Sequence, residues 1–136
     1  MAFFNGCLTA GSDGMVSSCS PDGVQGAVLE DDGDTGHLYA IIAGPPPRVL
    51  CGIRMYSVGD VVLPGRKLSV GFDWSADGRV CAVSLDGDDV AVLDFTNKWA
   101  ATCLGGQASG DVWTTAVWMG EDAIRARALA RRRNAG

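Results

Sequence analysis

Short apolar runs broken by Gly- and Asp-rich turns constrain this chain more than any other feature. GAVLED (26–31), HLYAII (37–42), VLCGIRMYSV (49–58), KLSVGFDWS (67–75), RVCAVSLDG (79–87), VAVLDF (90–95) and WAATCL (99–104) have the length and the β-branched, aromatic and aliphatic content of strands. DDGDTG, LPGR, ADG and DGDD separate them with residues that accept positive φ or bond their own turn backbone. Most of the 19 glycines sit between the apolar runs, so turns are many and strands short. KLSVGFDWS alternates and places Leu68, Val70, Phe72 and Trp74 on one face. In the next run Cys81, Val83 and Leu85 oppose Val80, Ala82 and Ser84. Residues 67–104 therefore read as an antiparallel meander with short connections. Gly52 marks a bulge in its strand, and three prolines make AGPPPR (43–48) a stiff break.

The fold class that follows is mainly β (α+β): an antiparallel curved sheet or sandwich of six to eight strands with one C-terminal helix. At 136 residues the chain is one domain. Its parts are an irregular or short-stranded lead-in (1–25), a β body (26–118) and a C-terminal helix with a basic tail (120–133). DVWTTAVWM (111–119) alternates like a strand. GEDAIRARALARRR is rich in helix formers, with Ala123, Ile124, Ala128 and Leu129 as a narrow apolar stripe. Acids at its start and arginines at its end suit a helix dipole.

Charge narrows the function. The net charge is −5, with 14 acidic and 6 basic side chains in residues 1–120 and 2 acidic and 5 basic in the remainder. Such a body repels nucleic acid. No run reaches the roughly 18 apolar residues that a membrane helix requires, and MAFFNGCLTAGS lacks a cationic leader. Five widely spaced cysteines without C-x-x-C give no zinc or thioredoxin-like pattern. Reduced thiols and a cytoplasmic location are the simple reading.

The densest chemistry lies in VLEDDGDTGHLYAII (28–42), where Glu30, Asp31, Asp32 and Asp34 precede the single histidine, His37. Two strands and a turn account for the pattern as a solvated hairpin. A calcium loop accounts for it less well, because Thr35 stands where the EF-hand pattern needs Gly and no Glu closes the loop. A Cys–His nucleophile needs His37 beside Cys51, Cys81 or Cys103 in space. No G-x-S-x-G, P-loop or dinucleotide fingerprint is present, and no cofactor is implied. Asp94, inside an apolar strand, requires a donor if it points inwards, with Arg54 and Arg79 as candidates. Of the four tryptophans, Trp74, Trp99, Trp113 and Trp118, the last three are candidates for an interface beside an acidic rim.

LEDDGDTGHLYA (29–40), DWSADGRVCAVSLDG (73–87) and VAVLDF (90–95) together resemble a family of small uncharacterised bacterial proteins of unknown function. Its pattern is E-D-D-G-x-T-G-x-x-Y-A, then W-S-x-D-G, then D-F, and the likeness covers roughly residues 26–105. His37 and Leu38 stand where the family tends to have aromatics. The family has no established activity and supplies no catalytic residues. It implies a cytoplasmic bacterial protein standing alone as one small domain.

The expected function is a non-catalytic binding protein, for example an acidic immunity-type inhibitor covering a basic target. Its contact residues are drawn from Glu30, Asp31, Asp32, Asp34, His37, Trp99, Trp113 and Trp118. The alternative is a β-domain that binds a small ligand or metal through the acidic turn; an enzyme with a Cys–His pair ranks last. An exposed edge strand also allows a homodimer.

Overall fold

The computed structural model describes residues 2–59, 63–102, 108–109 and 114–117. Nine strands follow in order: β1 (Ala2–Thr9), β2 (Met15–Cys19), β3 (Gln25–Asp31), β4 (Thr35–Ile42), β5 (Arg48–Ser57), β6 (Lys67–Trp74), β7 (Val80–Leu85), β8 (Asp88–Asp94) and β9 (Trp99–Thr102). Two short strands, β10 (Ala108–Ser109) and β11 (Thr114–Val117), come later. They build a six-stranded sheet, β1-β6-β7-β8-β9-β11, and a five-stranded sheet, β10-β5-β4-β3-β2. β1–β9 pair antiparallel throughout, while β11 runs parallel to β9.

The chain is thus mainly β, and the meander expected over 67–104 is β6-β7-β8-β9. A second meander, β2-β3-β4-β5, makes the other sheet. More strands form than the six to eight expected, chiefly because residues 1–25, read as irregular or short-stranded, supply β1 and β2, one to each sheet. β2 forms a local hairpin with β3, whereas β1 pairs with β6, a partner distant in sequence that local composition does not reveal. The expected C-terminal helix (120–133) lies outside the described residues, as do Trp113, Trp118 and Cys103.

The core lies between the sheets. Leu68, Val70, Phe72 and Trp74 from β6 and Cys81, Val83 and Leu85 from β7 meet Leu29, Leu38, Ala40, Ile53 and Met55 from the other sheet. Burying each large aliphatic or aromatic side chain is worth about 1.5–3 kcal/mol. The Arg66–Asp86 ion pair has side chains 57% and 36% exposed, so it adds at most about 1 kcal/mol. Packing, not surface charge, holds the sandwich. The Trp74 indole N–H also donates to the Ser18 hydroxyl of the facing sheet at 2.9 Å, and its ring stacks on Phe95. On the opposite side of the six-stranded sheet, Val80, Ala82, Val92 and Ala101 form a second buried cluster with Trp99 packed against it.

Two turns of one design abut at one end of the sandwich. In Ser20–Gly23 and in Ser75–Gly78 the serine hydroxyl donates to the aspartate two residues on. That aspartate accepts the amide of Val24 or Arg79, and the serine oxygen accepts the amide of Gln25 or Val80. Both turns close on a glycine of positive φ, +75° at Gly23 and +72° at Gly78, which glycine adopts without strain. Asp94 is also satisfied locally, by the Thr96 and Asn97 amides and the Asn97 side chain, not by Arg54 or Arg79.

β5 carries its bulges at Leu50 and Met55; Gly52 pairs regularly with Tyr39. The offset at Met55 lets consecutive Met55 and Tyr56 both enter the core while Arg54 faces out. Tyr56 then lies against Gly36, where any Cβ would overlap its ring. We expect Gly36→Ala to cost about 1–3 kcal/mol of stability by overpacking, read as a lowered urea midpoint, with Gly44→Ala, which meets nothing within contact distance, as the control.

Candidate functional site

The acidic stretch is a hairpin turn between β3 and β4, and its carboxylates divide by the face each strand residue must take. Asp31 ends β3 pointing inwards and is wholly buried. Its Oδ2 accepts the Gly11 amide at 2.8 Å and the Tyr56 hydroxyl at 2.7 Å. Its Oδ1 accepts the Gly33 amide at 2.9 Å and, more weakly, the Asp13 amide at 3.4 Å. Burial alone pushes the Asp31 carboxyl up, but the Gly11, Tyr56 and Gly33 donors outweigh it and hold it below the ordinary carboxylate value. Burial and the bond to Asp31 push the Tyr56 hydroxyl well up, so it stays a donor.

Asp32 is exposed and shapes the turn. It accepts the Thr35 amide at 2.8 Å, the Asp34 amide at 2.9 Å and the Thr35 hydroxyl at 3.1 Å. The backbone bonds from Thr35 and Asp34 lower its carboxyl pKa. Asp34 is exposed beside an open depression of about 510 Å³, where it is the one charged side chain among the described lining residues, with Thr9, Ser12, Gly33, Val58 and Pro64. Among the described residues, no three His, Cys, Asp or Glu side chains converge to hold a metal ion.

The remaining polar groups of the stretch lie on the solvent-facing side of the five-stranded sheet. Leu38 and Ala40 are buried in the core, so His37, Tyr39 and Ile41 face away from it. The register sets two rows across the strands: Met15, Glu30, His37 and Arg54, then Ser17, Val28, Tyr39 and Gly52. His37 takes Thr35 as its hydrogen-bond partner, with its Nδ1 3.3 Å from the hydroxyl, and its ring stacks with Tyr39 at 6.0 Å between centroids. Burial, then the charges of Glu30 and Asp32, push the Tyr39 hydroxyl up, so it is a donor at neutral pH. Met15 and Val49 are 62% and 61% exposed on this face.

The Cys–His geometry is absent among the described residues. Cys51 and Cys81 point into the core, and burial raises both thiols. Cys51 therefore lies on the opposite side of its sheet from His37. Cys19 shares the outward face, but two strands away and opposite Gly26, four residues along β3 from Glu30, the partner of His37. Trp99 is half-buried on the outer side of the other sheet, so it does not join the acidic turn. Tyr39 and Arg54 complete the rows; the sequence offers Arg54 only as a donor for Asp94 and places neither residue at this face. Tyr39 follows from its two-residue spacing to His37, but the Met55 bulge hides the pairing of Arg54 with His37.

A family model described as uncharacterized protein conserved in bacteria (DUF2251) matches residues 8–126. The match starts well before residue 26 and takes in Gly11 and Asp13, whose amides complete the Asp31 site. No curated protein and no solved structure matches the chain.

Asp31→Asn should lower stability by about 3 kcal/mol, since an amide cannot accept all four donors. The pH dependence has a fixed sign. Asp31 has a lower pKa folded than unfolded, so its contribution is full above the unfolded value of about 3.9 and is lost as pH falls through the folded one. Urea midpoints measured from pH 6 downwards should therefore fall more steeply in the wild type than in Asp31→Asn.

Proposed function

We propose, from the premise that this chain belongs to the family of uncharacterized proteins conserved in bacteria (DUF2251), that it is a non-catalytic binding protein. Its contact surface is the solvent-facing side of the five-stranded sheet. One observation carries this reading: that face combines exposed Met15 and Val49 with half-buried Val28, Tyr39 and Ile41 around the Glu30–His37–Arg54 row. Apolar patches rimmed by charge suit a protein partner, and Tyr and Arg are common anchors of such contacts. Asp32 and Asp34 stand at the rim, where negative charge favours association with a basic target. An immunity-type inhibitor in the cytoplasm is the concrete form. The separation of His37 from Cys19, Cys51 and Cys81, among the described residues, supports a role without nucleophilic catalysis.

No described helix is long and apolar enough to cross a membrane, and the reading requires no lipid. A second reading, a small ligand or cation held at the acidic turn, draws on the depression beside Asp34. It is weaker, because Asp31 and Asp32 already accept bonds from their own backbone.

Pull-down from bacterial lysate at low and high salt separates the readings. A salt-sensitive protein partner that is lost with Tyr39→Ala or Val49→Asp, at unchanged melting temperature, is the expected result. Capture unaffected by both variants would place the contact elsewhere. A melting temperature raised by Ca²⁺, Mn²⁺ or Zn²⁺ and not in Asp34→Asn would favour the turn as a ligand site.

A further inference from the structure

We propose that the free edge of β1 pairs antiparallel with β1 of a second copy of the chain, joining two six-stranded sheets across a two-fold axis. This inference does not depend on the binding face of the other sheet. β1 ends its sheet, with β6 as its one strand neighbour among the described residues. Its eight residues pair with β6 without a bulge or register shift.

The parity of the ladder is fixed by its continuation. The Ala10 amide donates to the Arg66 carbonyl, so even-numbered residues of β1 exchange bonds with β6. Phe3, Asn5, Cys7 and Thr9 consequently turn their N–H and C=O groups to the open edge. The Thr9 carbonyl is taken by the Ser12 amide, which agrees with that direction.

Proteins guard such edges with charge, proline, bulges or very short strands. Residues 1–12 contain no Asp, Glu, Lys, Arg or Pro, and β1 is neither short nor bulged. The other edges are shorter, at five residues in β2, two in β10 and four in β11. A second copy suits this strip for two reasons. The chain carries −5 overall, yet here like charges do not meet. An antiparallel strand pair is also self-complementary, which a closed two-fold dimer demands.

Light scattering and sedimentation of the full chain, under reducing conditions over a range of concentrations, test the proposal. The wild type should approach twice the 14.1 kDa chain mass. Cys7→Pro removes one edge-facing N–H and leaves the β6 ladder intact, and Cys7→Lys sets a cation at the strip in each copy. Each should weaken dimerisation by roughly tenfold or more, equivalent to about 1.4 kcal/mol, while dilute protein melts as the wild type does. In the dimer the Phe3, Asn5 and Cys7 amides should exchange slowly. A wild type monomeric at every concentration, or a dimer indifferent to Cys7→Lys, would overturn the pairing.

Discussion

The buried carboxylate of Asp31 is the contact on which the arrangement of loops depends. One side chain gathers the Gly11 and Asp13 amides between β1 and β2, the Gly33 amide of its own hairpin and the Tyr56 hydroxyl of β5. An isolated charge buried so deeply would be costly; four donors aimed at it reverse the balance. Tyr56 in turn requires Gly36 to lack a side chain, and the bulge at Met55 is what brings Tyr56 inwards. Carboxylate, phenol, glycine and bulge thus form one constraint spread over three strands, β3, β4 and β5.

The same economy recurs at the other turns. Asp22 and Asp77 close twin serine turns, Asp86 accepts the Ser69 amide and the Arg66 guanidinium, and Asp94 caps the turn after β8. Much of the chain's aspartate is therefore engaged with its own backbone. An acidic composition here reflects turn chemistry as much as a charged surface. The surface that Asp32 and Asp34 border on the five-stranded sheet is partly apolar.

The two sheets differ in their outer sides. On the six-stranded sheet Val80, Val92 and Ala101 are fully buried. On the five-stranded sheet Met15 and Val49 face solvent, with the His37–Tyr39 stack near the middle of the strands. A residue such as Tyr39, whose ring contributes to no interior packing cluster, has no evident folding role. Leu38, its neighbour, is entirely committed to the core, so of the two positions after Gly36 only His37 can meet a partner.

Much of the fold was legible in the sequence because strand alternation and Asp–Gly turns are local signals. The inward face of Leu68, Val70, Phe72 and Trp74 and the hairpin at 32–34 follow from spacing and turn chemistry alone. The role of each acid within that hairpin did not. Asp31 and Asp32 are adjacent and chemically alike, yet one is buried and the other exposed, because the pleat sends neighbours to opposite sides and the donors for Asp31 come from residues about 20 and 25 positions away. The place of β1 and the His37–Arg54 pairing were likewise beyond local reading, since a partner strand from a distant segment and a one-residue bulge decide them. Local composition was enough to say which segments extend and where most of them turn. Packing of the sheets settled which carboxylate entered the core and which side chains reach the solvent-facing side, because those outcomes depend on register and on donors that meet only when the sheets come together.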